Sequence, residues 1–281
     1  MNTMKQTIAL LADIHGNVSA FDAVIQDAQK NHATSFWFLG DLFLPGPGTD
    51  DLWQKLAALH PQVWLRGNWE DAILAMLSGH FELDDPGAIY LATLSAYLNE
   101  HVSSAVMSQM AAHPISTVQT VNGVKIQASH NLPDRDMGRS LYPAQPQQNF
   151  DDMMTADLDI AVYGHTHQQV MRTTSRGQLI INPGAVGQPY SLWPKFFADQ
   201  RAHYALLEID DFGRVDVSFR KVEYDRQKEI ALAQQRHVPY SSQYAFLRES
   251  GSTITHDRDL LAQVNAAHDY VDRVARYYHK H

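Results

Sequence analysis

Ile8-Ala9-Leu10-Leu11-Ala12-Asp13-Ile14-His15-Gly16-Asn17 is the stretch that decides the fold. Five apolar residues run without a break and stop at a carboxylate, the pattern of a strand buried on both faces. Asn17-Val18-Ser19 then offers N-cap chemistry, and Phe21, Val24, Ile25 and Ala28 follow at helical spacing. The unit repeats downstream. Phe36-Trp37-Phe38-Leu39 stops at Gly40-Asp41, Thr49-Asp50-Asp51 precedes Leu52, Leu56 and Leu59, and Val63-Trp64-Leu65 stops at Gly67-Asn68. Strands alternating with helices predict an α/β fold whose sheet has parallel crossovers and helix cover.

Further out the pattern changes. Residues 70–113 read as helical, with Pro86-Gly87 as a break, and are expected to cap or flank the sheet. Residues 115–121 and 124–129 flank Asn122-Gly123, a pair suited to the positive φ of a type I′ hairpin turn. Residues 131–150 are polar and proline-rich, hence a loop, and Ile160-Ala161-Val162-Tyr163 is a strand that ends at Gly164-His165. Turns are expected at Arg176-Gly177 and Asp211-Phe212-Gly213. Tyr190, Trp193 and Phe196 form an aromatic loop with two readings, lining of the pocket and, preferred, packing into the core. Residues 256–279 predict one amphipathic helix, with Leu260, Val264, Ala267, Val271, Val274 and Tyr278 on one face. That stripe fits packing on the chain's own core or a homodimer interface. His279-Lys280-His281 reads as a disordered tail. The domain expectation is residues 1–222 with a helical cap at about 70–113, and a C-terminal helical extension, 223–281, packed on the same domain.

The 281 residues suffice for a sizeable core. The absence of cysteine excludes disulfides, zinc–thiolate sites, iron–sulfur clusters and cysteine nucleophiles, and fits a reducing, cytoplasmic setting. No apolar run is long enough for a membrane span, and residues 8–12 are too short for a signal peptide. A net charge of −9 argues against broad nucleic-acid binding, which needs Lys and Arg to displace counterions. A small phosphorylated substrate held by metal ions stays open.

Five segments share one property: each places metal-competent side chains just after the end of an expected strand. They are Asp13-Ile14-His15, Gly40-Asp41, Gly67-Asn68, His130 and Gly164-His165-Thr166-His167. In open α/β sheets, sites form beyond the carboxyl ends of the strands, so side chains far apart in sequence converge there. Each piece alone has a bland reading: Gly-Asp is usually a turn and a lone histidine usually a core or surface residue. Order and shared context favour a metal site, and carboxylate, imidazole and amide oxygen together suit manganese, iron(II), zinc or cobalt.

In this order, the five segments resemble the signature of the calcineurin-like metallophosphoesterase superfamily. Asn182-Pro183-Gly184-Ala185-Val186-Gly187-Gln188-Pro189 is similar to the segment following the last motif in its small bacterial branch of phosphodiesterases and diadenosine polyphosphate hydrolases. The resemblance covers residues 8–222. It implies an α/β/β/α two-sheet sandwich with a dinuclear site at one edge. It also implies that Asp13, His15 and His167 hold one divalent ion, that Asn68, His130 and His165 hold the other, and that Asp41 bridges them. Asp41, Asn68 and His130 are then the catalytic set, manganese is the first expectation for both ions, and a metal-bridging hydroxide attacks phosphorus in line.

One position departs from the pattern. The usual third motif reads Gly-Asn-His followed by Asp or Glu, whereas this chain has Gly67-Asn68-Trp69-Glu70. In the family that histidine touches the phosphate and can protonate the leaving oxygen. An indole N–H only donates hydrogen bonds at neutral pH. Loss of activity, an unidentified replacement acid, or a leaving group that needs no proton are the three readings. We favour the third, because an alkoxide needs general acid help and a nucleotide phosphate does not. It points to phosphodiesters or phosphoanhydrides, dinucleoside polyphosphates included, with the face of Trp69 available to a nucleobase. Similar Gly-Asn-Trp-Glu motifs in small bacterial relatives suggest the same. The bland reading of Trp69 is a packed aromatic at a helix start. Arg66 is a second candidate substrate contact, with packing as its alternative. Phosphomonoesterase or protein phosphatase activity is weaker, since it normally depends on the missing histidine, and a nuclease lacks a basic stripe. The rival of another class is a non-catalytic metal-binding scaffold on the same fold. Asp211-Phe212-Gly213 imitates a kinase triplet without the kinase's glycine-rich loop, and no Gly-x-Ser-x-Gly elbow marks a serine hydrolase.

Overall fold

The computed structural model describes residues 5–79 and 81–279, so Lys280 and His281 of the expected disordered tail lie outside the described residues. The first half follows the strand–helix rhythm: β1 (Gln6–Leu11), α1 (Val18–Lys30), β2 (Ser35–Phe38), α2 (Asp50–Ala57) and β3 (Val63–Trp64). Asn17 caps α1 as expected, its side chain accepting from the Ala20 N–H at 3.0 Å. Three helices come next, α3 (Asn68–Leu77), α4 (Pro86–His101) and α5 (Ser104–Ala112). Pro86-Gly87 does not merely break a helix; it opens α4, with Asp85 accepting from the Gly87 N–H and Pro86 in the first turn.

The hairpin β4 (Ser116–Val121) and β5 (Val124–Ser129) turns on Asn122 and Gly123, at φ 47° and 82°, the geometry that pair was expected to supply. A short α6 (Gln147–Asp151) closes the expected loop, followed by β6 (Ile160–Tyr163), β7 (Gln169–Thr173), β8 (Leu179–Pro183), β9 (Ala202–Ile209) and β10 (Val215–Val222). Asp211-Phe212-Gly213 is the turn between β9 and β10, with Phe212 exposed.

The strands form two five-stranded sheets, ordered β10-β9-β1-β2-β3 and β4-β5-β6-β8-β7. β1, β2 and β3 are parallel to one another, as are β5, β6 and β8, and the other pairings are antiparallel. Side chains alternate across each strand, so one strand feeds two cores. In β1, Ile8 and Leu10 face the other sheet, together with Trp37, Ile126, Val162 and Leu207. Ala9 and Leu11 face outward into a larger core with Phe21 and Val24 of α1. Phe150, Leu141 and Tyr163 make a third, thinner core outside the second sheet. The layers are those of an α/β/β/α sandwich, with one helical layer much thinner than the other. Trp37 is wholly buried between the sheets, so truncating it to alanine costs about 3–5 kcal/mol.

Past β10 lie α7 (Arg226–Gln235), α8 (Ser241–Ser250), α9 (Arg258–Ala267) and α10 (Tyr270–Tyr278). The single C-terminal helix expected over 256–279 is two helices. Asp269 at φ 52° breaks the run, and the chain turns there so that both pieces pack on α4. α7 and α8 carried no clear apolar period and were not expected individually. Arg236 at the end of α7 makes a bidentate pair with Asp51 in the first turn of α2, both contacts at 2.9 Å. Among the described residues, no helix is long and apolar enough to cross a membrane.

Candidate metal centre

The loops after β1, β2, β3, β5 and β6 meet at one edge of the sandwich, where the parallel strands of both sheets end. They bring together all seven residues named from the sequence. Ligand atoms of Asp13, His15, Asp41 and His167 all lie within 4.8 Å of one another. Asn68, His130 and His165 form the neighbouring group: the Asn68 Oδ1 lies 2.9 Å from His130 Nε2 and 2.7 Å from His165 Nδ1. Asp41 sits between the groups, its Oδ2 3.7 Å from His15 Nε2 and 3.4 Å from His130 Nε2. Its other oxygen accepts from the Trp69 N–H at 2.9 Å, which aims Oδ2 inward.

The backbone is bent to allow this. Asp13, His15, Asp41, His165 and His167 all have φ between 50° and 63°, a left-handed region costly for side-chain-bearing residues. Five such residues in one cluster hold their side chains against strain, and that cost is offset by the packing around them.

Each histidine is oriented by a backbone carbonyl outside the cluster. His15 Nδ1 faces the Leu44 carbonyl at 2.8 Å, His130 Nδ1 that of Leu39 at 2.7 Å, and His167 Nδ1 that of Gln188 at 2.6 Å. His165 is turned the other way, with Nε2 at 3.0 Å from the Gly138 carbonyl. A carbonyl oxygen only accepts, so each outer nitrogen donates, and in a neutral ring the inner nitrogen keeps its lone pair for the cluster. The inner Nε2 atoms of His15 and His167 stand 3.1 Å apart.

Without a cation this arrangement is electrostatically unbalanced. Burial pushes the Asp13 carboxyl well above the usual carboxylate range, and Asp41 adds to it. Burial pulls His15 and His167 down, and holds His165 down at about 4, so these rings are neutral donors at pH 7. Burial also opposes charge on His130, but Asp41 and Asp13 outweigh it and raise that ring to about 10. Asp13 Oδ2 is buried with no hydrogen-bond partner. Carboxylates, imidazoles and one amide oxygen converging on a shared space fit two divalent cations of borderline hardness.

Around the ligands stands a set of clamps. Glu70 has no histidine beside it to orient, since position 69 is tryptophan. It instead accepts three backbone N–H bonds, from Asp41 and Gly67 and Leu42, at 2.7–2.8 Å, and so ties the second motif to the third. Burial, with Asp41 adding to it, raises Glu70 to about 7, while those three bonds favour its charged form. The Arg66 guanidinium binds Asp71 and the His113 carbonyl. The aromatic loop is not core. Trp193 and Phe196 are 57% and 63% exposed, just beyond the turn in which the Tyr190 N–H bonds the His167 carbonyl.

Two clamps come from the C-terminal helices and had no sequence signal. Glu229 of α7, fully buried, accepts from the N–H groups of Val18 and Ser19 at the start of α1, and from the Tyr244 hydroxyl at 3.1 Å. Arg248 of α8, also fully buried, donates to the Gly187 carbonyl, which accepts from Asn17 Nδ2 as well. Gly187 in turn donates its N–H to the Asp13 carbonyl at 2.9 Å, and the next residue's carbonyl orients His167. Position 187 admits nothing larger than glycine, since a Cβ there would lie 1.8 Å from the Ile14 carbonyl oxygen. We expect Gly187→Ala to displace the Asp13 loop, cost at least about 3 kcal/mol of stability, and weaken metal binding; calorimetric titration with manganese and a melting curve measure both.

The sequence profile of the calcineurin-like phosphoesterase superfamily domain matches residues 6–211. An uncharacterised protein of Methanocaldococcus jannaschii is 24% identical over 252 residues, 84% of this chain and 95% of that protein. Among solved structures, a metallophosphoesterase from Sphaerobacter thermophilus superposes with a TM-score of 0.65 at 22% identity, covering 88% of this chain and 100% of the other. A hypothetical protein from Pyrococcus horikoshii superposes with a TM-score of 0.70 at 18% identity, covering 88% and 99%.

Proposed function

Taking as premise that this chain belongs to the calcineurin-like phosphoesterase superfamily, and is a metal-dependent phosphoesterase, we propose that it hydrolyses phosphodiester or phosphoanhydride bonds of nucleotides, dinucleoside polyphosphates among them. The observation that carries this reading is the setting of Trp69. Its backbone N–H is bound to Asp41 Oδ1, and its ring meets the edge of His15 with centroids 5.4 Å apart. The position that would carry an acid at the leaving oxygen therefore carries an indole. None of the four clustered imidazoles replaces it, because each has one nitrogen on a carbonyl and the other on the cluster. A nucleotide phosphate, with a second pKa near 6, departs without being protonated.

When bound, two divalent ions supply electrostatic stabilisation of the phosphoryl oxygens and lower the pKa of water, so no strong protein base is required. Asp13, His15, His167, Asn68, His130 and His165 are the residues that would hold them, and Asp41 the one that would be shared. The protein's own contribution is rigid placement: carbonyls fix the ring tautomers, Glu70 fixes the spacing of two motifs, and the Gly187 turn fixes the first loop. Manganese is the ion we propose first.

The test is hydrolysis of diadenosine tetraphosphate, followed by chromatography, with and without manganese after metal stripping. AMP plus ATP, released only with metal, is the expected result. No turnover, beside clear cleavage of an aryl phosphodiester control, would leave a phosphodiesterase and remove the nucleotide assignment. Trp69→His should raise phosphomonoesterase activity at least about tenfold and raise the nucleotide KM. If neither moves in steady-state kinetics, the leaving-group explanation of Trp69 is wrong.

A further inference from the structure

A phosphate that departs unprotonated carries its negative charge away from the metal centre, and a cation beside the site stabilises it. The loops after β1, β2, β3, β5 and β6 hold no lysine and three arginines, Arg66, Arg135 and Arg139. Arg66 is held by Asp71 and the His113 carbonyl, and Arg135 by Asp134 at 3.4 Å. Arg139 is exposed and, among the described residues, its guanidinium has no hydrogen bond or ion pair. The backbone that carries it is fixed nonetheless. The Gly138 carbonyl accepts from His165 Nε2 at 3.0 Å, the Ser140 carbonyl from Asn149 at 2.9 Å and the Leu141 carbonyl from the Tyr163 hydroxyl at 2.9 Å. The Leu141 side chain is wholly buried in the third core. Two observations place Arg139 against the cluster. Gly138 meets His165 at its outer nitrogen while the inner one faces Asn68, so Arg139 starts one imidazole ring outside the shared space. The half-buried Tyr142 hydroxyl lies in the fields of Tyr190, Arg139 and Asp13 together, so one hydroxyl is within reach of both the guanidinium and a carboxyl of the cluster.

We propose that Arg139 binds the phosphate adjoining the scissile phosphorus, its guanidinium taking two oxygens of that group at once. The inference rests on the phosphoesterase reading above and names the residue by which the site prefers a phosphoanhydride to a simple diester. In the reaction the oxygen of water bonds to phosphorus as the P–O bond to the departing phosphate breaks. The bonding pair stays on that phosphate, and the proton of the water goes to solvent. Negative charge therefore builds where Arg139 stands, and no acid is required there. A simple diester has no second phosphate for the guanidinium to hold.

The test uses full-length wild type, Arg139→Ala and Arg139→Lys, each loaded with manganese, with a melting curve and metal analysis for every preparation. ADP and AMP binding are measured by calorimetry, which needs no turnover. Steady-state kinetics are measured on diadenosine tetraphosphate and on an aryl phosphodiester, which has a single phosphorus. Arg139→Ala should weaken ADP binding at least about tenfold and AMP binding by about threefold or less. Its kcat/KM should fall about 10–100-fold on the anhydride and about threefold or less on the aryl diester. Arg139→Lys should recover only part of each loss, since an ammonium lacks the planar fork. ADP binding unchanged in Arg139→Ala, or weakened no more than AMP binding, overturns the role. A wild type that cleaves the aryl diester and leaves the anhydride intact, with ADP binding still dependent on Arg139, removes the nucleotide-anhydride reading and keeps the phosphate site. The same dependence in a wild type that turns over neither substrate keeps the site and removes the catalytic reading.

Discussion

Asp41→Asn lowers kcat/KM by at least about a thousandfold, equivalent to about 4 kcal/mol of transition-state stabilisation, and the variant purifies with fewer than two metal ions per chain. The substitution is close to isosteric and suits the backbone, because asparagine is among the few residues that tolerate the φ of 61° found here. Its side-chain oxygen can keep the bond from the Trp69 N–H. What changes is the other atom: an NH₂ group replaces the oxygen lying 3.7 and 3.4 Å from His15 and His130. The charge shared by both halves of the cluster is lost, and a donor faces nitrogens whose lone pairs point inward. Elemental analysis and steady-state kinetics read the two effects separately. A variant with two ions per chain and wild-type kcat/KM would show that Asp41 is not shared between them.

The second large effect falls far from the ligands in sequence. Glu229→Ala should destabilise the protein by about 3–5 kcal/mol, because it strands buried donors at a cost of about 1–3 kcal/mol each and removes an anion that acts on the Arg248 guanidinium through its field rather than by contact. For a chain of this size that is a fall in Tm on the order of 10 °C. Three hydrogen bonds go with it, two from the first turn of α1 and one from Tyr244. Since α1 begins directly after the His15 loop, manganese affinity should fall as well. Adding Arg248→Met to Glu229→Ala should recover part of the loss, as expected when two buried charges depend on each other. Calorimetry on the two single variants and the double variant measures the coupling. A Tm within two degrees of wild type for Glu229→Ala would show that the pair carries no such weight.

What could be read from the sequence follows from how local each signal is. The run from Ile8 to Asn17 states a strand, a turn and a cap within ten residues, and the same short code recurs at Gly40-Asp41 and Gly67-Asn68. Those signals sufficed to place the loops on one sheet edge, and the structure brings their side chains together there. Long-range dependencies were not legible. Glu229 looks like any exposed helical glutamate until α7 docks on α1, and Arg248 like a solvated charge until α8 buries it against Gly187. The exposed loop at Trp193 and Phe196 misled for the converse reason: aromatic residues suggest burial, and nothing local shows that a loop leaves them outside. The division of the last helix was hidden because an amphipathic period survives a left-handed residue at Asp269.

The clamp on Gly187 also orders events in time. Asp13 leaves the ribosome long before Arg248 is synthesised, and at typical elongation rates the interval is on the order of 10–50 s. During that interval both sheets can pair, yet the turn that holds the Asp13 and His167 loops in register has no guanidinium to close it. A nascent chain arrested before α7 would thus be a folded shell with loose ligands, binding divalent metal poorly and leaving its phosphoester substrate intact. Hydrolytic competence arrives only once α7 and α8 are made, so translation itself delays the moment at which this enzyme can consume its substrate.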